Sequence, residues 1–181
     1  MDKKKTLRSV LRIKRQRIPG AARRSKNARI GRKLLREPCF AHAAHVALYY
    51  GVKPEVETRA LLKKLIRRKK IYLPAMDPER RHLVFRRVRD LARDLKKGLG
   101  GIREPKGFCL RRPAVRMDLI VVPGVGFDRS GGRLGRGGGY YDKVLKRASG
   151  VPTIGLCFRE QLVKRIPMDA KDVRVDKVLT D

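Results

Sequence analysis

The sequence predicts an α/β sandwich with a largely parallel central sheet. Three observations carry this expectation. Short apolar, strand-like segments alternate with charged, helix-like ones along most of the chain, the order from which parallel sheets are built. The stretch "MDLIVVPG" (117–124) is a continuous apolar run ended by a Pro-Gly turn, as expected of a strand covered on both faces. It is followed by "FDRSGGRLGRGGGYYDK" (127–143), a loop rich in glycine and arginine that leads into a helical pattern. At 181 residues with 41% apolar content, the chain makes a single domain, 1–181, able to bury a real core.

In chain order, residues 4–17 form a helix with Leu7, Leu11 and Ile13 or Val10 on its apolar side, closed by "PG" at 19–20. A second helix starts with Ser25 as its cap and runs to Glu37, where Pro38 stops it. "HVALYY" (45–50) is a short buried strand and "GVKPE" a turn. Residues 55–70 make a helix with Leu61, Leu62 and Leu65 near one face. Glu55 and Glu57 at its start and a basic run at its end suit the helix dipole. "IYLPAM" (71–76) and "HLVFRRV" (82–88) are strands, and "DLARDLKKGLGGIREP" (90–105) is a helical piece running into a glycine break. Beyond the glycine loop, "YYDKVLKRAS" (140–149) is a helix, "VPTIGLCF" (151–158) a strand and "VRVDKVLTD" (173–181) a last short strand.

Lys plus Arg number 48 against 17 for Asp plus Glu, a formal net charge of +31. Such a chain is attracted to any polyanion, with strong salt dependence. The basic residues are spread along the whole length, no nucleic-acid-binding signature accompanies them, and only 6% of residues are aromatic. The favoured reading is solvated helix faces, small-anion ligands and non-specific polyanion binding at low salt. No apolar run approaches the roughly 20 residues that span a bilayer. Cys39, Cys109 and Cys157 lie far apart and read as reduced thiols, two of them buried. His42, His45 and His82 show no metal-ligand spacing. The amino terminus lacks a secretory core, although its Arg-rich, acid-poor character loosely suits a mitochondrial presequence.

The glycine loop stands where an α/β sheet places its ligands, at the carboxyl end of a strand and before a helix. It fits neither the Walker loop nor the dinucleotide fingerprint: Gly132 and Gly137 have the Walker spacing but Gly138-Gly139 follow, and after Gly135 and Gly137 the position 140 is Tyr. A flexible surface loop is the bland alternative. Arg133 and Arg136 can make charge-assisted bonds to phosphate. Asp142 is a poor neighbour for naked phosphate and a good one for phosphate-bound magnesium.

"DLIVVPGVGFDRSGGRLGRGGGYYDK" (118–143) resembles the signature of the 5-formyltetrahydrofolate cyclo-ligases, also called methenyltetrahydrofolate synthetases. "KKTLR" (4–8), "EVET" (55–58), "LP" (73–74), "IREP" (102–105) and "VPTIGLCFREQLV…IP…DVRVD" (151–176) follow in family order. The resemblance implies a Rossmann-like three-layer sandwich of the NagB/RpiA/CoA transferase-like type. It implies ATP- and Mg2+-dependent conversion of 5-formyltetrahydrofolate, with or without a polyglutamate tail, to 5,10-methenyltetrahydrofolate, ADP and phosphate. A cytoplasmic monomer is expected. The family's first motif begins at Lys4, which on this reading leaves no room for a cleaved leader.

Residue by residue, the resemblance puts Lys4 and Arg8 on amino-terminal ATP contacts. Arg133, Leu134, Gly135, Arg136, Gly137, Gly138, Gly139, Tyr140 and Tyr141 fall on the nucleotide loop, with Arg136 as the catalytic cation. Tyr50, Glu55 and Tyr140 fall on the folate pocket and Asp142 on the magnesium ligand. Two other readings compete: a nucleic-acid-binding protein on an inactive scaffold, and a related ATP-using ligase with a different reduced pterin.

Overall fold

The computed structural model describes residues 2–77, 79, 82–98 and 101–181. Among the described residues the α-helices are α1 (Lys3–Gln16), α2 (Gly20–Arg36), α3 (Pro38–His42), α4 (Arg59–Leu65) and α5 (Tyr140–Arg147). The strands of the first half are β1 (His45–Ala47), β2 (Lys70–Asp77), β3 (His82–Val88), β4 (Leu95–Lys97), β5 (Arg103–Pro105) and β6 (Arg111–Arg112). Those of the second half are β7 (Leu119–Pro123), β8 (Gly126–Asp128), β9 (Arg133–Leu134), β10 (Thr153–Leu156), β11 (Leu162–Val163) and β12 (Lys177–Leu179).

Seven strands form the central sheet in the order β12-β10-β7-β1-β2-β3-β6. The run from β12 to β2 is parallel. β3 and β6 add an antiparallel edge. The expected sandwich is therefore present, and the alternation of side chains shows its layers. Val46, Leu73, Leu119, Val121 and Ile154 join Ile30, Leu34 and Leu62 of α2 and α4 in one core. Their strand neighbours Ala47, Tyr72, Ile120 and Val122 join Val144 and Leu145 of α5 in the other. A strand with apolar residues at every position is thus required, because both faces are covered.

Several expected elements take other forms. The second helix begins at Gly20, not Ser25: the Pro-Gly pair that closes α1 also opens α2, with the Pro19 carbonyl accepting from Arg23 N–H. Pro38 stops α2 and starts α3 at its first turn, where a missing N–H is harmless. The helix expected over 55–70 is only Arg59–Leu65, so Glu55 and Glu57 precede it and are not partners of its dipole. Within segment 90–105, β4 and β5 pair as antiparallel strands in place of the expected helix. Aspartates decide this: Asp90 accepts from Ala92 and Arg93 N–H, and Asp94 from Arg89 and Asp90 N–H, a turn that competes with helix. Residues 99 and 100 of the expected glycine break lie outside the described residues.

A second, three-stranded sheet, β11-β8-β9, carries the loop that follows β7. α1 lies on it, with Leu11 packed among Val125, Leu134 and Ile166. The packing is close: a Cβ at Gly126 would stand 2.3 Å from Leu11 Cδ1. This contact brings the amino-terminal helix to the glycine loop.

Candidate active site

A cavity of about 700 Å³ opens at the carboxyl ends of β1, β2 and β7. Tyr49 and Tyr50 line it after β1, Pro74 and Met76 from β2, and Pro123 and Gly124 at the end of β7. In the sheet order, β1 continues to β2 on one side while β7 continues to β10 on the other. That is the topological switch point at which open α/β sheets bind ligands.

The glycine loop divides into two halves with different duties. Its first half is structural. Asp128 is fully buried and accepts from the Ser130 N–H (3.0 Å) and hydroxyl (2.7 Å), Gly132 N–H (2.8 Å) and Ile166 N–H (2.8 Å). Burial opposes its ionisation, but these donors outweigh burial and hold the carboxyl below its ordinary range. Gly131 sits at φ +84°, and a Cβ there would lie 2.0 Å from the Val175 carbonyl oxygen.

The second half faces the cavity. Residues 133 to 142 all border it, as do Lys4, Arg8, Tyr50 and Glu55, so every sequence-predicted site residue comes to one place. Gly137 (φ +114°) and Gly139 (φ +64°) take backbone conformations that L side chains rarely adopt. Gly139 is the N-cap of α5 and no side chain caps that helix, which leaves its first N–H groups to an anion. Arg8, one turn after Lys4 on α1, donates from Nε to the Gly135 carbonyl at 2.9 Å and braces the loop.

The charged groups are paired across the cavity. Arg136 Nη2 donates to Glu55 Oε1 at 2.6 Å, a bond that joins the loop to the segment after β1. Glu55 is buried and Arg136 half-exposed. Thr58 anchors the segment that carries Glu55: its hydroxyl donates to the Tyr49 carbonyl at 2.6 Å and accepts from Gly51 N–H at 2.8 Å. Lys4 Nζ bonds Asp169 Oδ2 at 2.7 Å and also Asp172 Oδ2. Burial lowers the Lys4 pKa, yet these carboxylates raise it above its ordinary value. Tyr141 lies under Arg133, with the guanidinium 5.8 Å from its ring centroid. Burial, with Glu55 nearby, pushes the Tyr141 hydroxyl well up and keeps it neutral.

Arg133 departs from the role of a free phosphate ligand. Its side chain is almost wholly buried, and Nη2 holds Asp142 Oδ1 at 2.8 Å. Val173 N–H donates to the same oxygen at 3.3 Å. Asp142 Oδ2 carries no protein hydrogen bond among the described residues, and no cluster of three metal-ligating side chains occurs among them. One oriented carboxylate beside a glycine loop and an uncapped helix start suits magnesium, which keeps its waters and takes phosphate oxygens as further ligands. The residues present therefore fit the ion.

Sequence reasoning missed several walls of the cavity. Asp169, Lys146 and Lys171 border it without a distinctive pattern, Lys143, Ile102 and Glu104 stand in quoted motifs but were given no role, and Met76 and Leu83 close the side toward β2 and β3. Asp172 likewise stands in the quoted "DVRVD".

Comparison with known proteins agrees with this geometry. The whole chain, residues 1–181, matches the 5-formyltetrahydrofolate cyclo-ligase family. It is 30% identical to the 5-formyltetrahydrofolate cyclo-ligase of Mus musculus, over 97% of this chain and 92% of that one. It is 35% identical to that of Haemophilus influenzae, over 76% and 75%. A relative from Arabidopsis thaliana, 26% identical, bears the name 5-formyltetrahydrofolate cyclo-ligase, mitochondrial. The solved structure of Aquifex aeolicus 5,10-methenyltetrahydrofolate synthetase superposes with a TM-score of 0.87 at 35% identity, covering 97% of this chain and 88% of that one. The likeness spans every element from α1 to β12, and the chain belongs to the 5-formyltetrahydrofolate cyclo-ligase family.

Proposed function

We propose that the protein cyclises 5-formyltetrahydrofolate to 5,10-methenyltetrahydrofolate at the expense of ATP, releasing ADP and phosphate. The observation that carries the proposal is the Arg136–Glu55 contact, which sets a phosphate-loop cation beside a buried carboxylate on the folate side of one cavity. The formyl oxygen attacks the γ-phosphorus and the bond to ADP breaks. The neighbouring folate nitrogen then attacks the activated carbon, loses its proton, and the carbon–oxygen bond to phosphate breaks. Such a reaction needs positioning and charge neutralisation rather than a protein nucleophile.

The loop N–H groups and Arg136 are suited to hold the transferring group, whose charge is redistributed as it moves. Glu55 and Tyr50 orient the folate, Tyr140 and Tyr141 wall the pocket, and Lys4 and Arg8 fix the loop and the phosphates. Magnesium, held by Asp142 and phosphate oxygens, would supply charge neutralisation. Lys143, Lys146 and Lys171 at the same cavity suit a glutamate tail of one or more residues. The free thiols Cys39, Cys109 and Cys157 suit a reducing compartment such as the cytoplasm.

Oxygen-18 placed in the formyl group tests this route. The expected result is labelled inorganic phosphate in proportion to methenyl product. Unlabelled phosphate alongside full product formation would rule out phosphorylation of the formyl oxygen.

A further inference from the structure

The two arginines at the cavity end of the glycine loop are held differently. Arg136 is half-exposed, whereas the Arg133 side chain is almost wholly buried. Arg133 is set in place by β9, where it pairs with Phe127 of β8. Tyr141 lies under its guanidinium. A Cβ at Gly135 would stand 2.9 Å from Arg133 Nη1, so glycine at that position gives the guanidinium its room. Arg133 Nε is buried without a hydrogen-bond partner among the described residues. Burying a cation with an unmet donor is costly unless a charged partner compensates it.

That partner is Asp142, in the first turn of α5. Arg133 Nη2 meets Asp142 Oδ1 at 2.8 Å, the one ion pair of this arginine among the described residues, and Val173 N–H donates to the same oxygen. Oδ2 is the oxygen left for a ligand. The pair as a whole carries no net charge. A cation arriving at Oδ2 therefore meets a carboxylate already neutralised, with a fixed positive charge beside it. A neighbouring cation lowers the affinity of a carboxylate for a proton roughly tenfold or more. The same repulsion acts on a metal ion. Nucleotide phosphates bring both the missing negative charge and the further oxygens that magnesium takes. The uncapped start of α5, suited to those phosphates, borders the same cavity.

We infer that Arg133 is a positioning residue for the metal: it claims one oxygen of Asp142 and cancels the charge of that carboxylate, so that the site takes a divalent cation together with nucleotide phosphate and not alone. The inference rests on the ATP and magnesium reading proposed above. It goes further in giving Arg133 a duty other than phosphate contact. It also makes an unusual demand of the molecule, that removing a cation from the loop strengthens binding of the bare metal ion and leaves metal-free nucleotide binding as it was.

The experiment is titration of Mn2+, a substitute for magnesium whose free ion is read by electron paramagnetic resonance, into wild type, Arg133→Met and Arg133→Lys without nucleotide. Binding that persists in Asp142→Asn protein is subtracted. Arg133→Met should bind Mn2+ roughly tenfold more tightly than wild type, the scale of one neighbouring charge. Arg133→Lys should stay as weak as wild type, because lysine keeps the charge. In an Asp142→Asn background Arg133→Met should change nothing, because the two act as a unit. Calorimetric titration of ADP in the presence of EDTA should give the same affinity for wild type and Arg133→Met. Unaltered or weaker Mn2+ binding by Arg133→Met overturns the inference, as does equal tightening in Arg133→Lys. Loss of metal-free ADP affinity in Arg133→Met also overturns it, because the arginine is then a phosphate ligand. Arg133→Gln is a second uncharged variant and should behave as Arg133→Met. Failure of both to fold, read by thermal unfolding, overturns the inference by making the arginine a structural support. A folded wild type that takes up neither ADP nor Mn2+ when both are present overturns the ATP and magnesium reading itself, and the inference with it.

Discussion

At the scale of single residues, Arg136 and Glu55 hold each other at 2.6 Å, and the proposed reaction asks both to work on substrates. Arg136→Ala should lower turnover about a hundredfold, near 3 kcal/mol, and change substrate binding far less, because its contact strengthens as phosphoryl charge develops. Glu55→Gln should weaken folate and spare ATP. Steady-state kinetics in each substrate separate the two. Asp128 tests a different claim, that half of the glycine loop is scaffold. Its folded pKa is depressed, so its contribution to stability is present at pH above its unfolded value of about 3.9 and is lost as pH falls through the folded value. Asp128→Ala leaves the N–H groups of Ser130, Gly132 and Ile166 unpaired and should cost about 3 kcal/mol or more at neutral pH, read by denaturant unfolding. The loss should shrink as pH falls below that of the depressed carboxyl.

At the scale of elements, the features legible in the sequence were those set by local pattern. The apolar run 117–122, the helix after Gly139 and the stop at Pro38 follow from burial on two faces, helix periodicity and proline chemistry. The misread elements were settled by contacts or turns. Helical periodicity over 55–70 yields to Thr58, whose bonds to Tyr49 and Gly51 fold residues 51–58 back on β1. The β4–β5 pairing follows from aspartate turns that a helical pattern conceals. The small sheet β11-β8-β9 was invisible because two of its strands have only two residues. Within the site, motif residues such as Arg136 and Asp142 were legible, whereas the pairings Arg133–Asp142 and Lys4–Asp172 depend on long-range packing. One prediction belongs here. Gly131→Ala should destabilise by about 2 kcal/mol or more, since positive φ and the Val175 carbonyl both oppose a Cβ. Its measure is the shift of the unfolding midpoint.

At the scale of the whole molecule, the net charge of +31 has no counterpart in the reaction. From Lys3 to Arg36 the chain carries no acidic residue at all, and most of the cations of α1 and α2 are exposed. DNA or RNA should therefore bind at low salt without sequence preference. If six to ten phosphates are contacted, affinity should fall by roughly 10³ to 10⁵ between about 50 and 200 mM salt. Fluorescence polarisation with two unrelated sequences reads both the slope and the selectivity. Tight, sequence-selective binding at physiological salt would favour the nucleic-acid reading over the small-anion one.

The proposed reaction brings the ATP phosphates and the formyl group together in the one cavity that the glycine loop borders. The most direct measurement is the growth of 5,10-methenyltetrahydrofolate absorbance with purified protein and 5-formyltetrahydrofolate, omitting ATP and magnesium in turn. The account predicts turnover only when both are present. Equal turnover without ATP, or none from folded protein under any of the conditions, would contradict it.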